Sequence, residues 1–369
     1  MVSEALRIGV IGVGRRGGEY ARALADGRVE GARLAALSDP RSEALAPFGS
    51  CPTFREARSL VRSGDVDAVV VATPHRAHEE PALEAIATGL HLVVEKPLAV
   101  HRFEAARLVD AHRSRRQAGQ LFATALVLRA DLRYLRLRAM LGRGELGRVT
   151  RALWVVTDCL RSEAYFRGSS WRGTFRGEGG GLLLNQCLHQ LDLWQWLFGM
   201  PRRVQAFCGF GRRHAIEVED EVTAYFEHDA MTGAFIASSG EAPGTNRLEV
   251  AGDLGRVVIE GDSLEIRRNR VPTPEWLRTA AVRESDRAAE PERLALARGG
   301  LDPAGLLANL VRAARGEEPL FAPAEDGIAS IELANALLWS ALARRTVEFP
   351  LDERACAAAL ESAAAERAG

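Results

Sequence analysis

The stretch "RIGVIGVGRRG", Arg7 to Gly17, decides the fold. The apolar run Leu6 to Gly12 has the pattern of a buried strand, and "EYARALADG", Glu19 to Gly27, reads as a helix stopped by a glycine. Between them Gly12, Gly14 and Gly17 stand in GxGxxG register. Such a triplet is weak evidence by itself in a chain with 35 glycines. Between a strand and a helix it has the context of a dinucleotide-binding turn. Gly12 permits the tight turn, Gly14 lets the backbone approach a pyrophosphate at the helix N-terminus, and Gly17 allows close helix–strand packing. The flanking Arg15 and Arg16 fall in the same loop. Asp39 ends the next apolar run, "RLAALSD", about 20 residues on, where a carboxylate can bond the adenosine ribose hydroxyls. A carboxylate there repels a 2′-phosphate and favours NAD. Arg41, two residues later, could hold that phosphate, so NADP stays open.

Outward from this turn, strand-like and helix-like stretches alternate. "DAVVVATP" (Asp67–Pro74), "LHLVVEKP" (Leu90–Pro97) and "QLFATALV" (Gln120–Val127) read as buried strands. Glu79–Gly89 and Arg102–Arg113 read as the helices between them. Alternation of this kind implies a parallel sheet with right-handed crossovers. The texture changes near residue 127. A helix at Leu132–Leu141, a strand at Gly147–Asp158 and a long helix opened by a glycine-rich turn, Gly177 to Gly181, lead into a run of strands. These are Val204–Gly211, Glu221–Phe226, Thr232–Ser238, Leu248–Ala251, Arg256–Glu260 and Ser263–Arg268. Consecutive strands form an antiparallel or mixed open sheet. Thr273–Gly300 reads as surface helix plus loop. Helices at Ala304–Arg315 and Ile328–Ala343 and a strand at Thr346–Leu351 finish the chain. The expected architecture is α/β: residues 1–127 a Rossmann-type, doubly wound parallel sheet, and residues 128–369 an α/β domain with a large open, mainly antiparallel sheet.

Bulk properties exclude several classes. The formal net charge of −1 gives no field to draw the chain to nucleic acid or an anionic membrane. The densest basic run, "HRSRRQ" (His112–Gln117), reads as a solvated helix end. No stretch approaches the roughly 18 apolar residues of a membrane span. Nothing in "MVSEALRIGVIG" has the form of a cleaved signal. Five dispersed cysteines with no CxxC pair offer no metal framework and fit reduced thiols in a cytoplasmic setting. No metal site is expected.

The candidate chemistry falls where parallel strands end. Thr73-Pro74 follow one strand, with His75 and His78 close behind, and Glu95-Lys96-Pro97 follow the next. Ligands of α/β sheets bind at such carboxyl ends. Among 48 Lys plus Arg, Lys96 is the single lysine. An ammonium is a compact donor whose pKa falls on desolvation, whereas a guanidinium stays charged. Pro97 holds the Lys96 backbone extended and is compatible with a cis bond. Farther on, in "GGGLLLNQCLHQLDLWQWLFG" (Gly179–Gly199), Asn185 and His189 are four apart and would share one helix face. Asp192 could orient the His189 ring or be a surface acid. Trp171 and Arg172, just before the glycines, could line a substrate pocket or simply pack.

The chain resembles the Gfo/Idh/MocA oxidoreductases, the glucose–fructose oxidoreductase and inositol dehydrogenase group. The resemblance rests on "RIGVIGVGRRG", "VVVATPHRAH", "EKPLA" and "GGGLLLNQCLH", and it continues through "GDLGRVVIEG" to "AEDGIASIELANALLWSALARRTVEFPLD". It implies a cofactor site at Gly12, Gly14, Arg15, Arg16, Gly17, Asp39, Arg41, Thr73, Pro74, His75, His78, Glu95, Lys96 and Pro97. It implies that Lys96, Asn185 and His189 are catalytic and touch substrate together with Trp171 and Arg172. Many relatives carry Asp where this chain has Asn185. Asn cannot relay a proton, but it can orient a hydroxyl. His75 stands where an asparagine is usual. The implied reaction is hydride transfer between NAD (or NADP) and a hydroxyl or keto carbon of a sugar or cyclic polyol. A redox-assisted, NAD-dependent glycosidase and a non-catalytic nucleotide-binding regulator are the rival readings. The open sheet implies a homodimer or homotetramer.

Overall fold

The structure is a computed structural model and describes residues 5–115, 119–282 and 289–367. It has two compact units. The first comprises Met1–Val127, Gly177–Gly179 and Leu301–Glu332; the second comprises Leu128–Arg176, Gly180–Gly300 and Leu333–Gly369. The sequence reading placed everything after residue 127 in one domain. Here two later segments cluster with the first unit instead.

In the first unit six strands form one parallel sheet: β1 (Leu6–Ile11), β2 (Ala32–Ser38), β3 (Thr53–Phe54), β4 (Ala68–Val71), β5 (His91–Val94) and β6 (Phe122–Thr124). Their order is β3-β2-β1-β4-β5-β6, the doubly wound arrangement. Strand β4 and the last four residues of β1 are apolar and buried because helices cover both faces. On one face Tyr20, Ala21 and Leu24 of helix Arg15–Ala25 pack with Leu306, Leu307 and Leu310 of helix Pro303–Ala314. That second helix lies far along the chain, which explains its return to this unit. On the other face helices Glu79–Thr88 and Arg102–Arg115 cover Val69, Val71, Leu92 and Val94.

The second unit holds nine strands: β7 (Val149–Val156), β8 (Arg203–Phe210), β9 (Glu219–Glu227), β10 (Thr232–Ser238), β11 (Asn246–Gly252), β12 (Gly255–Glu260), β13 (Ser263–Arg268), β14 (Glu292–Ala295) and β15 (Val347–Glu348). Their order is β14-β13-β12-β11-β7-β10-β9-β8-β15. Among the described residues only β7 and β10 pair in parallel; the other pairs are antiparallel. One face buries Trp154, Phe226, Phe235 and Leu248. Trp194, on helix Leu188–Phe198, meets the Phe226 ring edge-on at 4.4 Å.

Three readings need correction. The segment Thr273–Gly300 contains a helix (Thr273–Thr279), but Glu292–Ala295 adds a strand to the sheet edge. Its largely exposed side chains hid it, because pairing with Ser263–Ile266 rather than burial makes it a strand. Residues 283–288 of that segment, like Arg116 and Gln117 of the basic run, lie outside the described residues. The chain also does not finish at residue 351. An alanine-rich helix, Glu353–Arg367, follows, started by an Asp352 carboxylate that accepts the Ala355 N–H at 3.0 Å. The third correction concerns the helix after the glycines and is given with the site. No helix among the described residues is long and apolar enough to cross a membrane.

Candidate active site

The first unit gathers its functional loops at the carboxyl edge of the sheet. β1 is flanked by β2 and β4, and β4 by β5, all parallel, so Gly12, Asp39, Thr73 and Glu95 leave the sheet on one side. Gly12 has φ +84°, and a Cβ there would fall 2.7 Å from the Thr73 nitrogen. A Cβ on Gly17 would fall 1.8 Å from the Gly12 carbonyl oxygen. Both positions therefore require glycine, and together they seat helix Arg15–Ala25 directly on the strand end. Gly14 caps that helix without a side chain, and a Cβ there would meet only Arg41, at 3.9 Å. The open space over Gly14 and the helix N-terminus behind it fit a dinucleotide pyrophosphate.

Asp39 is buried and accepts the Val13 N–H at 2.8 Å, which ties the end of β2 to the glycine loop. Arg41 closes on the same carboxylate with two side-chain bonds, Nε to Oδ1 at 2.9 Å and Nη2 to Oδ2 at 3.0 Å. Burial alone would raise the Asp39 pKa; the bonds from Arg41 and Val13 outweigh it and hold the carboxyl below its ordinary value. The two residues singled out as rivals over the 2′-position thus form one ion pair.

Glu95 and Lys96 sit at the tip of β5. The Tyr20 hydroxyl donates to Glu95 Oε1 at 2.7 Å, and Arg16 lies 3.5 Å from the same oxygen while also pairing with Glu19 at 2.6 Å. Arg15, by contrast, points to solvent. The Lys96–Pro97 peptide bond is cis. Burial lowers the Lys96 pKa from 10.5 to about 8, against the attraction of Glu95 and Glu178. Glu178 was missed in the sequence, yet it is fully buried within this unit, and its carbonyl oxygen lies 3.1 Å from His75 Nδ1. An acid directly before three glycines was the available signal.

His78 is almost wholly buried, with Nδ1 2.8 Å from the Pro97 carbonyl and Nε2 2.9 Å from the Thr73 carbonyl. Burial holds its pKa below the ordinary value despite those oxygens. It ties the loop after β4 to the loop after β5. Thr73 Oγ1 donates to the Ala77 carbonyl at 2.9 Å and stiffens the same loop around Pro74.

In the second unit the helix after the glycines is broken, and this corrects the expected continuous i,i+4 face. Leu182–Gln186 forms a π-helical turn, Cys187 interrupts it, and the α-helix runs from Leu188 to Phe198. The wide turn closes with Cys187 N–H donating to Leu182 O at 2.7 Å. Its start is held by Glu219, a buried carboxylate on β9 that sequence reading passed over. Glu219 accepts Gly181 N–H at 2.9 Å and Leu183 N–H at 2.8 Å. Asn185 lies in the π turn and His189 in the first turn of the α-helix; both are partly exposed amid buried leucines. Asn185 Nδ2 donates to the Tyr165 hydroxyl at 3.3 Å. Asp192 is no surface acid: Arg129 clamps both its oxygens, at 2.9 and 2.7 Å, in a buried pair. The Arg172 guanidinium lies 4.6 Å from the Tyr165 ring and 4.8 Å from the Trp171 ring.

Comparison with known proteins matches both units. Residues 6–121 match the oxidoreductase family with an NAD-binding Rossmann fold, and residues 134–258 match the GFO/IDH/MocA C-terminal domain. Inositol 2-dehydrogenase of Streptomyces avermitilis is 30% identical over 203 residues, 54% of this chain and 54% of that protein. The chain thus spans about half the length of the curated relatives that it matches first. Inositol 2-dehydrogenase of Acidothermus cellulolyticus is 32% identical over 274 residues, 71% of this chain and 75% of its own. Among solved structures, the WlbA dehydrogenase of Bordetella pertussis, in complex with NADH and UDP-GlcNAcA, superimposes with a TM-score of 0.78. It is 24% identical and covers 95% of this chain and 100% of its own, a likeness of fold. With an NAD-binding Rossmann domain followed by the matching C-terminal domain, the chain belongs to the Gfo/Idh/MocA oxidoreductase family.

Proposed function

We propose that the chain is a dehydrogenase acting on a CH–OH group of a sugar or cyclic polyol, with NAD as its dinucleotide. The observation that carries this reading is Lys96. The chain's single lysine sits at the strand edge that holds the glycine loop, with a pKa lowered to about 8. The names of the inositol dehydrogenase relatives support the polyol class. Bound NAD would supply the hydride acceptor.

The chain's own groups do the rest. Gly12, Gly14 and Gly17 open the loop to the pyrophosphate, and Asp39 takes the adenosine ribose. Arg41 is neutralised by Asp39, which favours NAD over NADP. His189 removes the substrate hydroxyl proton, a role suited to an imidazole whose ordinary pKa is about 6.5. Lys96 donates a hydrogen bond to the substrate oxygen on which negative charge develops. Asn185, steadied by the Tyr165 hydroxyl, orients a neighbouring hydroxyl and carries no proton. The exposed face of the nine-stranded sheet, where Phe207 and Tyr225 are diagonal neighbours, would pack against a second copy.

Titration with NADH and NADPH, followed by nicotinamide fluorescence, tests the reading, and a screen of polyols and sugars completes it. The expected result is saturable binding with NADH the tighter ligand, then NADH production from at least one polyol or sugar. Binding of neither dinucleotide would end the dehydrogenase reading.

A further inference from the structure

The second unit contains a cavity of about 430 Å³ whose lining includes Glu163, Arg167, Arg172, Thr174, His214 and Glu217. Its acids and its histidine are engaged. Glu163 accepts the Ala215 N–H at 2.9 Å, and Glu217 accepts the Phe175 N–H at 3.1 Å. His214 sits between Asp220, 3.1 Å from Nδ1, and the Arg161 carbonyl, 2.9 Å from Nε2.

The two arginines are different. Arg172 Nε is buried with no hydrogen-bond acceptor, and neither Arg172 nor Arg167 pairs with a carboxylate among the described residues. The buried arginines Arg129 and Arg133, by contrast, are paired with Asp192 and Asp131. The Tyr165 and Trp171 rings both lie against the Arg172 guanidinium, a group whose planar N–H fork suits a bidentate oxyanion. A buried donor left without an acceptor is costly unless a ligand supplies one.

The place is informative. The Tyr165 ring that bears on Arg172 also holds Asn185 through its hydroxyl. The arginine therefore lies one tyrosine ring away from the residue assigned to orient the substrate.

We propose that the substrate carries an anionic group, a carboxylate or a phosphate, which Arg172 receives in this cavity with Arg167 at its rim. This rests on the dehydrogenase reading and narrows it from neutral polyols to acidic sugars.

The test is calorimetric titration of the whole protein, with and without saturating NAD, using glucuronate, glucose 6-phosphate and glucose as probes. At least one acid is expected to bind about tenfold or more tightly than glucose, the worth of one charge-assisted bidentate contact. Preference for glucuronate identifies a carboxylate as the natural group, preference for glucose 6-phosphate a phosphate, and equal binding a site for either. Arg172→Gln should abolish the preference, and Arg172→Lys should lose most of it because an ammonium cannot form the fork. Arg167→Gln, at an exposed position, should weaken it without loss of fold. Equal binding of all three probes, no binding of either acid at millimolar concentration, or an acid preference that survives in Arg172→Gln would overturn the proposal. NADH binding is read on the same samples. Its absence would count against the dehydrogenase reading, while the acid preference stands or falls by itself.

Discussion

At the scale of the residue, Lys96 concentrates the argument. Composition singled it out, and its neighbourhood supplies the physics. Burial disfavours its charge, and nearby Glu95 and Glu178 only partly restore it. A lowered lysine pKa has a definite consequence for stability. Below about pH 8 both folded and unfolded chains hold the proton, and the folded state bears the full cost of the buried ammonium. Between about pH 8 and 10.5 the unfolded chain holds the proton more tightly than the folded one, so this group's contribution to stability rises with pH. Lys96→Met should therefore be more stable than the parent at pH 7, with the gap closing toward pH 10.5. Denaturant melts at both pH values would measure it; a gap that is absent at pH 7, or that widens with pH, would refute the account of Lys96. Not every neighbour was visible in advance. Glycines and Lys96 announce themselves by type and register, whereas Tyr20, Glu178 and the tying role of His78 depend on long-range partners that no local pattern encodes.

At the scale of the element, the turn from Leu182 to Gln186 matters most. Its sequence supports a continuous α-helix, and helical spacing would place Asn185 and His189 on one face. The structure widens the first turn to π and restarts the helix after Cys187. The cause is Glu219, 38 residues beyond Gly181, which gathers two backbone N–H groups from the start of the turn. A distant carboxylate that overrides local propensity is not legible in a periodicity. Glu219→Ala would leave those two N–H groups buried without their acceptor. We expect a loss of about 2–4 kcal/mol of stability by denaturant unfolding. Glu219→Gln, which retains one acceptor oxygen, should lose less. A Glu219→Ala protein within about 0.5 kcal/mol of the parent would show that the carboxylate does not shape the turn. The exposed strand Glu292–Ala295 and the alanine-rich helix Glu353–Arg367 escaped for the same kind of reason: neighbours, not pattern, decide them.

At the scale of the whole molecule, each unit was legible to a different degree. In the Rossmann unit the apolar strands are buried on both faces and announce themselves, and alternation implies a parallel doubly wound sheet, whereas the β3-β2-β1-β4-β5-β6 order is seen only in the structure. The return of Leu301–Glu332 to that unit was not legible, because an apolar helix face says only that it is covered and not by what. The second unit's strands were found largely by their turns, but the parallel pairing of β7 with β10 inside an antiparallel sheet depends on topology alone. The proposed chemistry turns on Lys96 as a compact donor to the substrate oxygen on which charge develops during hydride transfer. Its most direct measurement is the single-turnover rate of nicotinamide reduction in the parent and in Lys96→Arg, with NAD affinity measured on the same preparations. The substrate is whichever polyol or acidic sugar the screens return. Arginine keeps the charge and removes the compact donor. The account predicts NAD affinity within about threefold of the parent and hydride transfer slowed by about 100-fold or more. Hydride transfer at the parental rate in Lys96→Arg would contradict it.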